Sequence, residues 1–130
     1  MENLVAEMTV ELVAVERRLW SGQATAVFTR TIEGELGILP KHIPLLGELV
    51  PDCVVRIDQT NGERLMAAVQ GGFLSVTGER VSILAESAQL ADEIDIEAAR
   101  ADAASDDEAV RNRGVSQLRA TEQPVTERSA

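Results

Sequence analysis

The run Gly34-Glu35-Leu36-Gly37-Ile38-Leu39-Pro40-Lys41-His42-Ile43-Pro44 limits the fold of this chain more than any other feature. Glycine opens backbone conformations that other residues avoid, and each proline fixes φ and withholds a donor. The residues ahead of the prolines, Leu39 and Ile43, are pushed toward extended geometry. No regular helix can cross such a segment. It predicts a short strand, Glu35–Ile38, running into a proline-braced loop that holds Lys41 and His42 at its tip. A stiff loop carrying charge on a β scaffold suits recognition.

The stretches around it agree with a β scaffold. Met8, Val10, Leu12 and Ala14 alternate with Glu7, Thr9 and Glu11, the two-residue period of a half-buried strand. Glu16-Arg17-Arg18 turns the chain, Leu19-Trp20 begins a second strand, and Ser21-Gly22 turns it again. In Gln23–Arg30, alternation sets Ala24, Ala26 and Phe28 on one face, with Thr25, Val27 and Thr29 on the other. Leu45–Val50 is apolar and stops at Pro51. Cys53, Val55 and Ile57 alternate with Val54 and Arg56. Thr60-Asn61-Gly62 is a hairpin signal, because Asn-Gly readily takes the positive φ of a tight turn. Arg64–Val69 returns, Gly71-Gly72 interrupts, Phe73–Val76 continues, and Thr77-Gly78-Glu79 turns into Arg80–Ala85. About nine short strands are too many for one small open sheet. Two sheets packed face to face are the expected solution.

Near Ala91 the composition changes. Residues 1–90 hold 8 of the 9 glycines and 3 of the 4 prolines. The segment 92–104 is rich in alanine and opens with acids, which complement a helix dipole, and Asp92 is the expected cap. Ser105-Asp106-Asp107 ends that helix and caps a second, from about Glu108 to Ala120, with Val110, Gly114 and Leu118 four apart. The expected organisation is a β-sandwich over 1–90, an antiparallel helical hairpin over 91–120, and a loose tail over 121–130 around Pro124. Eight acids and one arginine lie between Asp92 and Glu108, against four arginines and two acids from Ala109 to Arg128. Neither helix is long enough to be robust alone in water, so the arm must dock on something.

Charge and residue inventory exclude several functions. A formal net charge of −10 over 130 residues opposes binding to nucleic acid or directly to anionic lipid. Cys53 is the only cysteine, so no internal disulfide forms, which fits a reducing cytoplasm. The start Met1-Glu2-Asn3 has no secretory pattern, and no stretch approaches the roughly 20 apolar residues of a membrane span. One histidine and one cysteine cannot assemble a zinc site, and Cys53 opens an alternating strand as a core residue does. Gly71-Gly72 lacks the Lys-Ser/Thr and the helix that a phosphate loop needs. No reaction centre emerges, which leaves a contact surface at Glu35, Lys41 and His42. A free-standing sandwich that senses a nucleotide or another anion is the alternative.

The central run resembles the epsilon subunit of bacterial F-type ATP synthases, whose pattern is Gly-Glu-(Leu/Tyr)-Gly-Ile-(Leu/Tyr)-Pro-x-His-x-Pro-Leu-Leu and which stands here as Gly34 to Leu46. A second run, Gly-Gly-(Phe/Ile)-Leu-x-Val, stands as Gly71 to Val76. A third, Val-x-(Ile/Val)-Leu-Ala-(Asp/Glu)-(Ser/Thr)-Ala, stands as Val81 to Ala88. Leu19-Trp20-Ser21-Gly22 matches the family's apolar pair followed by Ser-Gly.

The resemblance implies a ten-stranded β-sandwich of two packed sheets followed by a two-helix C-terminal arm. It implies a non-catalytic central-stalk (rotor) subunit, without cofactor, bound to the gamma subunit and seated on the ring of c subunits. That places it peripherally at the cytoplasmic face of the bacterial membrane. Such a subunit helps couple proton flow to ATP synthesis, and its arm can restrain ATP hydrolysis. In the family the glutamate and the histidine of the central run lie at the c-ring polar loops; these are Glu35 and His42. Arg111, Arg113 and Arg119 are the residues expected to touch gamma or the acidic alpha/beta head. Family members that bind ATP in the arm carry (Ile/Leu)-Asp-x-x-Arg-Ala. Here Ile94-Asp95-Ile96-Glu97 is followed by Ala98-Ala99, and Arg100 arrives two positions late, on another face of the helix. The Asp95 and Arg100 pair is therefore a poor nucleotide site.

Overall fold

The computed structural model describes residues 6–122. Seven strands come first: β1 (Met8–Ala14), β2 (Arg18–Thr31), β3 (Gly34–Ile38), β4 (Leu45–Glu48), β5 (Asp52–Gln59), β6 (Arg64–Thr77) and β7 (Arg80–Leu90). A 3-10 turn at Ala91–Glu93 leads to α1 (Ile96–Ala103) and α2 (Glu108–Ala120). The expected tail falls mostly at 123–130, outside the described residues.

The strands form one hydrogen-bonded sheet in the order β1-β7-β6-β5-β2-β3, with β4 paired to β6. β1 also pairs antiparallel with β2 through Met8↔Ala24 and Leu12↔Trp20, while running parallel to β7 through Val10↔Val81 and Leu12↔Ile83. That double pairing closes the sheet into a barrel-like sandwich. The expected ten strands in two separate sheets are therefore corrected to seven strands in one closed path. The difference lies in the long strands. Ser21-Gly22 does not break β2, and Gly71-Gly72 bends β6 without ending it. On both sides of that bend β6 keeps one register with β7, Gln70↔Ser87 before it and Gly72↔Ala85 after it.

Alternation makes the interior. Met8, Val10, Leu12 and Ala14 of β1 and Cys53, Val55 and Ile57 of β5 all point inward, as the period predicts. They meet Ile38, Leu49, Val69, Leu74, Val76, Val81 and Ile83 in one aliphatic core. Each large member, fully buried, stabilises by about 1.5–3 kcal/mol. β2 departs from simple alternation. Its register with β5 shifts between Ala24 and Ala26. One extra residue at that bulge turns the following side chains over, so that Val27, Thr29 and Thr31 are buried and Phe28 is displayed outside.

Asn61-Gly62 and Gly78 make the hairpin turns expected of them, with Gly62 at φ 94 and Gly78 at φ 58. Beyond β7 the expected cap is corrected. Asp92 lies in the 3-10 turn, and Asp95 caps α1 instead, its side chain accepting from the Ala98 N–H at 3.1 Å. Asp107 caps α2 in the same way at Val110, also at 3.1 Å.

The bend in β6 is a test of the closed path. A Cβ on Gly72, at φ 124, would lie 2.0 Å from the Leu84 carbonyl oxygen of β7. Gly72→Ala is expected to cost more than about 3 kcal/mol, against about 1 kcal/mol for Gly62→Ala, where strain acts without a clash. Urea denaturation of both variants checks the ratio.

Candidate functional site

The braced loop is built as a turn. His42 donates its N–H to the Leu39 carbonyl at 3.2 Å, with Pro40 and Lys41 between them. Proline at the second position and a positive φ of 70° at Lys41 give the pattern of a type II turn. Lysine in the place where glycine is usual projects its side chain outward, and it is exposed. His42 is half-buried, with Nδ1 2.7 Å from the Ile43 carbonyl oxygen. Leu39 and Ile43 flank the tip and are 58% and 75% exposed, so the loop offers apolar surface around its lysine.

Glu35 lies elsewhere. It is exposed on β3, directly across from Arg30 of β2. With Arg30, Arg56 and Phe28 it lines a cleft of about 840 Å³ whose opposite wall is α2, through Asn112, Ser116 and Arg119. Lys41 and His42 are not among the residues lining that cleft. The three predicted loop residues thus divide into an adjacent pair at the tip and a carboxylate facing the arm. Arg56 grips Asp58 with two bonds of 3.0 Å, and its guanidinium stands 4.8 Å over the Phe28 ring. Those bonds hold the Asp58 carboxyl below the usual carboxylate range.

The arm is folded down. α2 rests on β5 and β6, with Leu118 and Ala120 buried beside Ala68, Ile94 and Ala99. Ser116 donates to the Cys53 carbonyl at 3.2 Å, and Gln117 to the Gln89 side chain at 2.7 Å. Gly114 lies under the end of α1, and Leu118 and Ala120 near its start, so the two helices run antiparallel. The arginines separate by task. Arg111 donates to the carbonyls of Ser105 and Asp106 at 3.1 and 3.4 Å, bracing the loop between the helices. Arg113 lines a crevice with Asp52, Gln70 and Ser87, and Arg119 lines the large cleft together with Glu35. The Asp95 carboxylate is spent on capping α1, while Arg100 reaches Glu97 at 3.5 Å.

Two features escaped the sequence reading. One is an apolar outer face. Val13, Leu84 and Phe73 stand in one cross-strand row, with Leu84 54% and Phe73 52% exposed. Its signal was present as unbroken apolar runs, Phe73-Leu74 and Ile83-Leu84-Ala85, where a solvated strand would alternate. The other is the pairing of Arg17 with Glu93, for which sequence gives no sign. Bonded by Arg17 and by the Leu90 N–H, the Glu93 carboxyl titrates at about 2. A lowered acid contributes fully above its ordinary range and loses that contribution as pH falls toward 2, so Glu93 carries the charge this pair needs throughout neutral pH.

Residues 7–91 match the family model for the ATP synthase delta/epsilon chain β-sandwich domain. The chain belongs to that family. It is 58% identical over 116 residues to the ATP synthase epsilon chain of Mycolicibacterium smegmatis, covering 89% of this chain and 96% of that one. It is 65% identical over 97 residues to the epsilon chain of Rhodococcus opacus, covering 75% and 80%. Among solved structures it resembles a chain of the Euglena gracilis mitochondrial ATP synthase assembly of OSCP, F1 and c-ring. There the TM-score is 0.64 and the identity 30%, over 93% of this chain and 81% of that one. A chain of the Tetrahymena thermophila central stalk and c-ring shares the fold, at TM-score 0.57 and 18% identity over 94% and 97%. Family members of this kind are subunits of a larger complex. No helix among the described residues is long and apolar enough to cross a membrane.

The hairpin of the arm depends on one close approach. A Cβ on Gly114 would lie 2.4 Å from the Ala103 nitrogen and 2.7 Å from the Ala99 carbonyl oxygen of α1. Gly114→Ala gains helix propensity of about 1 kcal/mol in isolation yet is expected to separate α1 from α2. Loss of amide protection in both helices, with the strands unchanged, is the expected result by hydrogen exchange.

Proposed function

We propose that this chain is a non-catalytic rotor subunit of a bacterial proton-translocating ATP synthase, held at the cytoplasmic face of the membrane by its partners. The observation that carries this reading is that a closed, stiff sandwich displays two separate apolar surfaces. One is the braced tip with Leu39, Lys41, His42 and Ile43; the other is the Val13, Phe73 and Leu84 face. A body that passes torque between two neighbours needs a grip on each. We assign the tip to the polar loops of the c-ring, with Glu35 on the strand that leads into it, and the outer face to gamma. The chain contributes contacts and no chemistry of its own.

The arm is assigned a restraining role on ATP hydrolysis, through Arg113 and Arg119 against gamma or the acidic alpha/beta head once the arm leaves the sheet. Arg111 takes a smaller part, because it is engaged in the interhelix loop. Nucleotide is not required. The commitments of Asp95 to its helix and of Arg100 to Glu97 support that, and they weigh against the free-standing nucleotide sensor.

The test replaces the native subunit in a bacterial synthase with variants of this chain and purifies the complex from membranes. Wild type is expected to co-purify with gamma and the c-ring, and Phe73→Glu with Leu84→Glu to lose that retention by more than tenfold while remaining folded. A chain ending at Ala91 is expected to be retained and to raise ATP hydrolysis. Full retention of the double variant removes the assignment of the outer face, and unchanged hydrolysis removes the role of the arm.

A further inference from the structure

The turn between β1 and β2 reaches across to the start of the arm. Ala14 and Arg17 exchange backbone hydrogen bonds at 2.8 and 3.3 Å, which fixes the base of the Arg17 side chain to the end of β1. From there its guanidinium forks onto Glu93, Nη1 to Oε2 at 2.9 Å and Nη2 to Oε1 at 2.7 Å. Glu93 Oε1 also accepts from the Leu90 N–H at 3.0 Å, at the last residue of β7. A two-pronged pair of this kind sets position as well as energy. Directly beyond Glu93 the backbone changes character. Ile94 and Asp95 are extended, at ψ 128 and 105, between the 3-10 turn and α1. A few residues between elements are where a packed segment pivots.

We propose that the Arg17–Glu93 pair is a latch on the linker that fixes where the arm pivots and how far it reaches. With the latch closed, Ala91–Glu93 are bound to the sandwich and the arm swings from Ile94-Asp95. With it open, those three residues join the tether and lengthen it by up to about 10 Å. For an arm built on helices this short, that extra length is a large fraction of the reach. Both side chains are partly exposed, 48% for Arg17 and 36% for Glu93. The pair is accordingly weak and screened by salt, as a reversible catch must be. The other end of the same turn displays Val15, which lines a cleft with Phe73 and Leu84. A partner on that face would touch the turn two residues from Arg17. This coupling to a partner rests on the assignment of the outer face above; the latch does not.

The experiment uses the isolated full-length chain. Amide exchange is followed at Ile94 and along α1, in wild type, Arg17→Ala, Glu93→Ala and the swapped Arg17→Glu/Glu93→Arg variant. Each single variant is expected to speed exchange there about two- to fivefold, with strand amides unchanged. The swapped variant is expected to recover most of the protection, and 1 M salt to bring wild type close to Arg17→Ala. Equal exchange in wild type and both single variants overturns the latch. So does a swapped variant no slower than the singles, or acceleration that spreads equally into the strands. No partner is present, so failure of the outer-face assignment would leave this result intact.

Discussion

Everything in this molecule depends on how β1 is held. Six of its seven residues pair with β2 on one side and six with β7 on the other, antiparallel and parallel respectively. Its four inward residues, Met8, Val10, Leu12 and Ala14, are also part of the wall around the core. Without this strand the path from β7 round to β2 would be an open sheet with two bare edges, prone to pairing with other chains. With it, the strands enclose one aliphatic interior, and the end of β1 is fixed in space. The proposed outer face and the root of the arm inherit that stiffness. The outer face is a row across β1, β7 and β6, and the turn that leaves β1 meets the root of the arm.

The arm is built on different terms. The buried side of α2 is Gly114, Ser116, Leu118 and Ala120, so only one large apolar side chain is committed to the contact. Burial of Leu118 and Ile94, about 1.5–3 kcal/mol each, with partly buried Ile96 beside them, must offset the ordering of two short helices. Hydrogen bonds from Ser116 and Gln117 add specificity and little net energy, because water serves those groups nearly as well. A rigid body with a lightly held appendage has two levels of stability, and segments that move in regulation come from the lower one. That contrast is the physical content of assigning torque to the sandwich and switching to the arm.

Local rules carried the sequence reading a long way. Alternation in β1 and β5, the Asn61-Gly62 turn, the strand at Glu35–Ile38 and the cap at Asp107 are each decided by residues within a few positions of one another. What escaped was decided at a distance. The bulge near Thr25 displays Phe28 because β2 must pair with β1 and then β5, and no window of β2 alone contains that demand. Gly71-Gly72 read as an interruption because glycines permit a break; the matching register of β7 turned it into a bend. Glu35 and Arg119, expected at different partners, face one cleft because α2 folds back over the sheet. Arg17 and Glu93 lie 76 positions apart and look like ordinary surface charges until the barrel closes. Asp92 lost the capping role to Asp95 because the chain first makes a 3-10 turn off the end of β7.

The claim that a closed sandwich carries a separately melting arm is tested most directly by native-state hydrogen exchange across a denaturant series on the full-length chain. The account predicts that amides of α1 and α2 exchange through a local opening at least about 2 kcal/mol below the global unfolding free energy, with little denaturant dependence. Inner amides of β1, β5, β6 and β7 should exchange only through global unfolding. A single shared opening energy for helices and strands would contradict it.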